Sequence, residues 1–169
     1  MHRKTFVQQI TGGAAALLFM NNNATAQPNP QEPPPFSTDL VKEFVIAGHG
    51  NFQKVQDMLK EHPNLIYAKY DWGNGDFEAA IEGAGHVGNK EIANYLLAAG
   101  SRVTIYVLAM LGRTDLVKPI LVAYPELIPA KGPHGFTLLH HAKVGGKDSE
   151  ELYAWLQQQG QKEDWVKLR

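Results

Sequence analysis

The stretch GFTLLHHAKVGG (135–146) holds His140, His141 and Lys143, residue types that could ligate a metal or act as a general base. A second stretch crowds Asp71, Asp76, Glu78 and Glu82, and paired carboxylates perform acid–base work when burial raises one pKa. Spacing argues against both. Adjacent residues on a helix point about 100° apart, so His140 and His141 cannot share a metal from one face. Zinc ligands on a helix favour separations of three or four residues. His49, His62, His86 and His134 have no ligand-like spacing either, although a long-range pair such as His86 with His134 stays open. Glu78 and Glu82 are four apart, which puts them on one helical face as a solvated acidic patch. Gly73-Asn74-Gly75 is a turn signal with nothing to place a phosphate there. The expectation is therefore no catalytic residue, no metal site and no cofactor. The alternative is a metal-binding or hydrolytic protein that uses His134, His140 and His141 with the acidic cluster.

The elements that must position these residues come from an internal echo. HPNLIYAK (62–69) recurs as YPELIPAK (124–131), with Pro, Leu, Ile, Ala and Lys kept at an offset of 62. Apolar or small trios spaced 0, +3, +4 occur at Val55/Met58/Leu59, Ala93/Leu96/Leu97, Val117/Ile120/Leu121 and Leu152/Trp155/Leu156. That spacing is one helical face. Each trio follows a glycine by about five residues: Gly50, Gly88, Gly112 and Gly146. A further apolar run precedes each glycine, at 40–47, 77–84, 105–111 and 138–144. The unit is helix, glycine turn, helix, loop; one such pair cannot bury its apolar face alone, whereas a stack can.

These residues carry a resemblance. Gly135-Phe136-Thr137-Leu138-Leu139-His140-His141-Ala142 resembles the ankyrin signature G-x-T-P-L-H-x-A, with Leu138 where proline is usual. GNKEIANYLLAAG (88–100) resembles the second ankyrin helix and its glycine stop, and PELIPAK resembles the lead into the next β-finger. The implied fold is all-α: an ankyrin-repeat solenoid of about four irregular helix-turn-helix repeats with reduced β-fingers. Gly135, Thr137, His140 and Ala142 then form a structural motif, with Thr137 capping the helix and His140 linking neighbouring loops. His141 takes a groove-facing or intermediate position. Two departures stand out: only 12 residues separate Gly100 from Gly112, so one finger is deleted, and the 38-residue step between the first trios implies an insertion at Tyr70–Asp76.

The insertion holds Trp72 in a loop, where an aromatic anchor for a partner competes with simple packing onto the first repeat. Trp155 reads as core, and Trp165 as a cap on the end of the stack. The implied function is a non-enzymatic interaction module that binds an unidentified protein partner. Its surface would be Tyr70, Asp71, Trp72, Asn74 and Asp76, with His134 and His141 adjacent.

Residues 1–26 have the order of a secretory signal peptide: Arg3 and Lys4, an apolar run at 10–20, then Ala24-Thr25-Ala26. Sec-type or twin-arginine-type export to the periplasm or outside is expected, with no membrane insertion after removal. Residues 27–38 read as a proline-rich linker, 39–160 as the repeat domain and 161–169 as a tail or cap. No cysteine occurs, so packing alone must stabilise the fold. Without the leader, 14 basic side chains face 17 acidic ones, a net charge of −3 with no basic stripe for nucleic acid. A monomer is expected.

Overall fold

The protein is described here by a computed structural model, which places residues 33–168. The expected leader and the first part of the linker lie outside these residues. Among the described residues no helix is long and apolar enough to cross a membrane.

The described chain is mostly helical, with eight α-helices in four consecutive pairs. These are α1 (Thr38–Gly48) with α2 (Phe52–Glu61), α3 (Ala80–Val87) with α4 (Lys90–Ala98), α5 (Ile105–Met110) with α6 (Thr114–Ala123), and α7 (Leu138–Val144) with α8 (Glu150–Gln158). Local chemistry starts several of them. Ser37, Asn51, Asn89 and Thr137 each accept a backbone N–H from three residues on, which satisfies an otherwise orphaned donor. The turn inside the second pair needs a left-handed residue, and Gly88 supplies it at φ 76°.

The first helices of the pairs stack in the order α1, α3, α5, α7, while α2 meets α4 and α6 meets α8. Two apolar clusters result. One joins Phe44, Val55, Leu65, Ile81, Ile92, Leu96 and Met110; the other joins Val117, Leu121, Leu138, Leu139, Leu152 and Leu156. Nine of the twelve trio residues are buried in these clusters, and Leu97 packs half-buried against the first. Ile120, beside Pro119 in α6, is 39% exposed, and Trp155 packs at the edge of the second cluster without being fully buried.

The inter-pair segments differ from one another. Residues 101–104 run without regular structure straight into α5. Between α2 and α3 the chain forms a hairpin of β1 (Tyr70–Asp71) and β2 (Phe77–Glu78), with Tyr70 opposite Glu78 and Asp71 opposite Phe77. This corrects the reading of 77–84 as one helical run. Glu78 belongs to a strand and Glu82 to the first turn of α3, so they share no helical face. The hairpin wins because Gly73 and Gly75 take φ values of 112° and 81° and return the chain along β1.

Candidate metal centre

Four elements bring their polar side chains to one place. His49 ends α1, Glu78 ends β2, His86 lies in the last turn of α3, and His134 sits in the loop before α7. One ligand atom from each lies within 4.8 Å of all the others. Two features of the backbone allow this. Gly83 leaves room for an imidazole: a Cβ there would stand 2.7 Å from Cε1 of His49. His134 adopts φ 58° and ψ 8°, a left-handed conformation that an L-residue holds only when its surroundings impose it.

Glu78 is the floor of the site, fully buried. Its Oε1 lies 2.8 Å from Nε2 of His86 and 3.5 Å from Nε2 of His49. Its Oε2 lies 3.2 Å from Nε2 of His134 and accepts the Trp72 indole N–H at 2.9 Å. Burial by itself would raise the Glu78 pKa; hydrogen bonds from His49 and His86, with their charge, outweigh it and hold the carboxyl down at about 2. The same bond to Glu78 raises His49 above its ordinary value against the opposing effect of burial.

The ring nitrogens that face away are also tied. Nδ1 of His49 is 3.0 Å from the Val45 carbonyl oxygen. Nδ1 of His134 is 2.7 Å from Oδ2 of Asp76, whose Oδ1 accepts the His134 backbone N–H at 2.8 Å. Carbonyl and carboxylate oxygens only accept, so both Nδ1 atoms donate. In the neutral rings both Nε2 atoms are then bare lone pairs. Nε2 of His49 faces Nε2 of His86 at 3.0 Å, and Nε2 of His134 faces a carboxylate oxygen. Neutral His86 can donate its Nε2–H to His49 Nε2 or to Glu78 Oε1, whereas His134 Nε2 and Glu78 Oε2 are both acceptors and repel unless a cation, either a proton or a metal ion, lies between them.

Aromatic packing fixes the rest. The Phe136 ring is sandwiched between His86 and His140, with centroids 4.9 and 4.3 Å away and near-parallel planes. Nε2 of His140 donates to the carbonyl oxygen of His86 at 2.8 Å, and Thr137 Oγ1 accepts the His140 N–H as the cap of α7. Trp72 packs edge-on against His134 and Tyr70, with the Lys42 ammonium 5.9 Å from its ring centre.

The structure therefore redistributes the residues singled out in the sequence. His134, Asp76 and Trp72 meet at the centre. Tyr70 and Asp71 lie on the hairpin beside it, where Oδ1 of Asp71 accepts the Gly73 N–H. Asn74, at φ 57°, occupies the hairpin turn. His141, expected at an accessible position, is 1% exposed with Nδ1 donating to the Thr137 carbonyl oxygen, while His140 is the half-buried member of the pair. The order is reversed because α7 turns its 138/139/142 face to the core and carries His141 inward, against Tyr106. Glu82 is buried as well; its Oε2 accepts the Ala79 N–H at 2.8 Å and pairs with Lys69 at 2.9 Å. The acidic patch is thus not a solvated face. Sequence spacing missed His49 and Glu78 as partners of His86. The available signal was a histidine at the end of two successive first helices, with a small residue at Gly83 to admit the His49 ring.

Compared with protein-family models and with curated protein sequences, the chain matches none.

Proposed function

We propose that this protein binds a divalent first-row transition metal, zinc foremost, through Nε2 of His49, His86 and His134 and the carboxylate of Glu78. The observation that carries this reading is the convergence of three Nε2 atoms on one buried carboxylate, with the rear nitrogens of His49 and His134 held by fixed acceptors. Metal-ligating histidines characteristically donate their second ring N–H in this way, which sets both tautomer and aim. The separations also fit. Bonds of 2.0–2.1 Å to a tetrahedral ion place ligand atoms about 3.3 Å apart; four contacts at the site, through both Glu78 oxygens, run from 2.8 to 3.5 Å, and the four ligand atoms all lie within 4.8 Å of one another. Imidazole-rich sets favour zinc, copper, nickel or iron over magnesium and calcium. Four protein donors complete a tetrahedral shell, so the chemistry is that of holding an ion and not of turnover. Titrating metal-free protein with zinc tests this: one equivalent bound, and none in a variant carrying His49→Gln with His134→Asn, is the expected result. Equal uptake by both proteins would refute it.

A second reading concerns the scaffold. We infer an ankyrin-type solenoid of about four irregular repeats that acts as a non-enzymatic, exported interaction module. Its support is the stack of first helices with left-handed glycines at the turns Gly88, Gly112 and Gly146, and an exposed hairpin bearing Trp72 and Phe77. Under this reading the protein partner meets Tyr70, Asp71, Trp72, Asn74 and Asp76. Replacing Asp71 and Trp72 together must then abolish capture of that partner from a periplasmic extract; undiminished capture removes the assignment.

A further inference from the structure

Residues 134–137 face the candidate centre on one side and the C-terminal tail on the other. Toward the centre they present the His134 imidazole and the Phe136 ring stacked on His86. Toward the tail three backbone groups and the Thr137 hydroxyl are bonded. The Trp165 indole N–H donates to the His134 carbonyl oxygen at 2.6 Å, and the Val166 N–H to Gly135 at 2.9 Å. Thr137 donates its N–H to the Asp164 carbonyl oxygen at 3.1 Å and its hydroxyl to that of Glu163 at 2.7 Å. Phe136 and Trp165 pair as an antiparallel bridge, and Lys143 holds the Asp164 carboxylate. Gly135, at φ 83°, can follow this path only without a side chain, because a Cβ would run into the Val166 carbonyl oxygen. The left-handed His134 is therefore clamped between Asp76 on the hairpin and residues 163–166.

We infer that residues 163–166 are a strap that completes the metal centre, so that zinc occupancy and docking of the strap stabilise each other. This rests on the zinc reading above. Trp165 is a positioning residue: it touches no ligand atom, yet its indole N–H is bonded to the backbone of His134 in the conformation that aims the imidazole. Binding linkage is reciprocal, so a strap that improves zinc affinity must itself be held more tightly when zinc is bound.

Two measurements on the full chain test this. Trypsin cleavage after Lys162, which releases the strap, is followed with and without zinc. Zinc slows it about tenfold or more in the wild type, and has no effect in His49→Gln, which removes a ligand on α1 and leaves every strap contact in place. In parallel, zinc affinity falls about tenfold in a chain ending at Lys162 and about fivefold in Trp165→Phe, which loses one hydrogen bond. If the shortened chain does not fold, Trp165→Phe and the cleavage rates decide. Zinc uptake with unchanged affinity in Trp165→Phe and unchanged cleavage overturns the strap and leaves the zinc site standing. Absence of zinc uptake by the wild type overturns both.

Discussion

Asp76 holds His134 by two bonds at once: Oδ2 lies 2.7 Å from Nδ1 and Oδ1 accepts the backbone N–H at 2.8 Å. The two residues are 58 positions apart, so the hairpin between α2 and α3 sets the aim of a side chain that precedes α7. A left-handed histidine costs on the order of 1 kcal/mol or more in backbone strain, and this fork is one of the contacts that offset it.

Removing the fork must loosen the centre without removing a ligand. Asp76→Ala is expected to weaken zinc binding about 10–100-fold, the usual effect of losing the carboxylate behind a ligating histidine. Asp71→Ala serves as the control, since that carboxylate accepts the Gly73 N–H within the hairpin. Isothermal titration of both variants checks the contrast; equal affinities would sink the role given to Asp76.

Glu78→Gln keeps the shape of the floor and removes its charge. Zinc affinity should drop more than about a hundredfold, because a ligand is lost as well as the anion that gathers the imidazoles. Inductively coupled plasma analysis of the purified variant should find no stoichiometric metal.

Gly83→Ala separates stability from the site. Alanine is the better helix former by up to about 1 kcal/mol, which offsets part of the steric cost in α3. The new Cβ would stand 2.7 Å from the His49 ring and push it off its position. The expected result is a nearly unchanged urea midpoint with zinc affinity reduced about tenfold or more. A variant that binds like the wild type would show that His49 is dispensable.

Zinc should also stabilise the fold by mass action. At a free concentration 100 times Kd the gain is about 2.7 kcal/mol, or roughly 10 °C in Tm for a domain of this size. Calorimetry before and after a strong chelator measures it, and an unaltered Tm would argue against a folded-state site.

His141 gives a pH dependence away from the centre. Burial is the main cause that pushes its pKa down from 6.5 to about 4, and it is buried neutral in the folded protein. The unfolded chain takes up a proton first, so the stability of neutral His141 is complete above pH 6.5. It declines as pH falls toward 4, by on the order of 3 kcal/mol in all. Other groups titrate in this window, including Glu78 and His49. The discriminating quantity is therefore the difference in urea-derived stability between wild type and His141→Gln, which should shrink between pH 7 and pH 4.5. A constant difference would show that His141 is not buried neutral.

Sequence alone determined the helical units. The 0, +3, +4 trios, the capping residues Asn51, Asn89 and Thr137, and Gly88 act within a few positions of themselves, so their consequences can be read along the chain. The turn at Gly73-Asn74-Gly75 and the abrupt entry into α5 were legible for the same reason. The centre was not. Its members stand at 49, 78, 86 and 134, on four different elements, so no single helical or strand period links them. Only the stacking of α1 on α3, the return of the hairpin along β1 and the left-handed turn at His134 bring the four together. Which of two adjacent histidines faced inward was likewise decided by packing, because α7 buries Leu138, Leu139 and Ala142 and carries His141 with them. Local chemistry fixes where helices begin and end; convergence of distant polar groups is a property of how those helices pack.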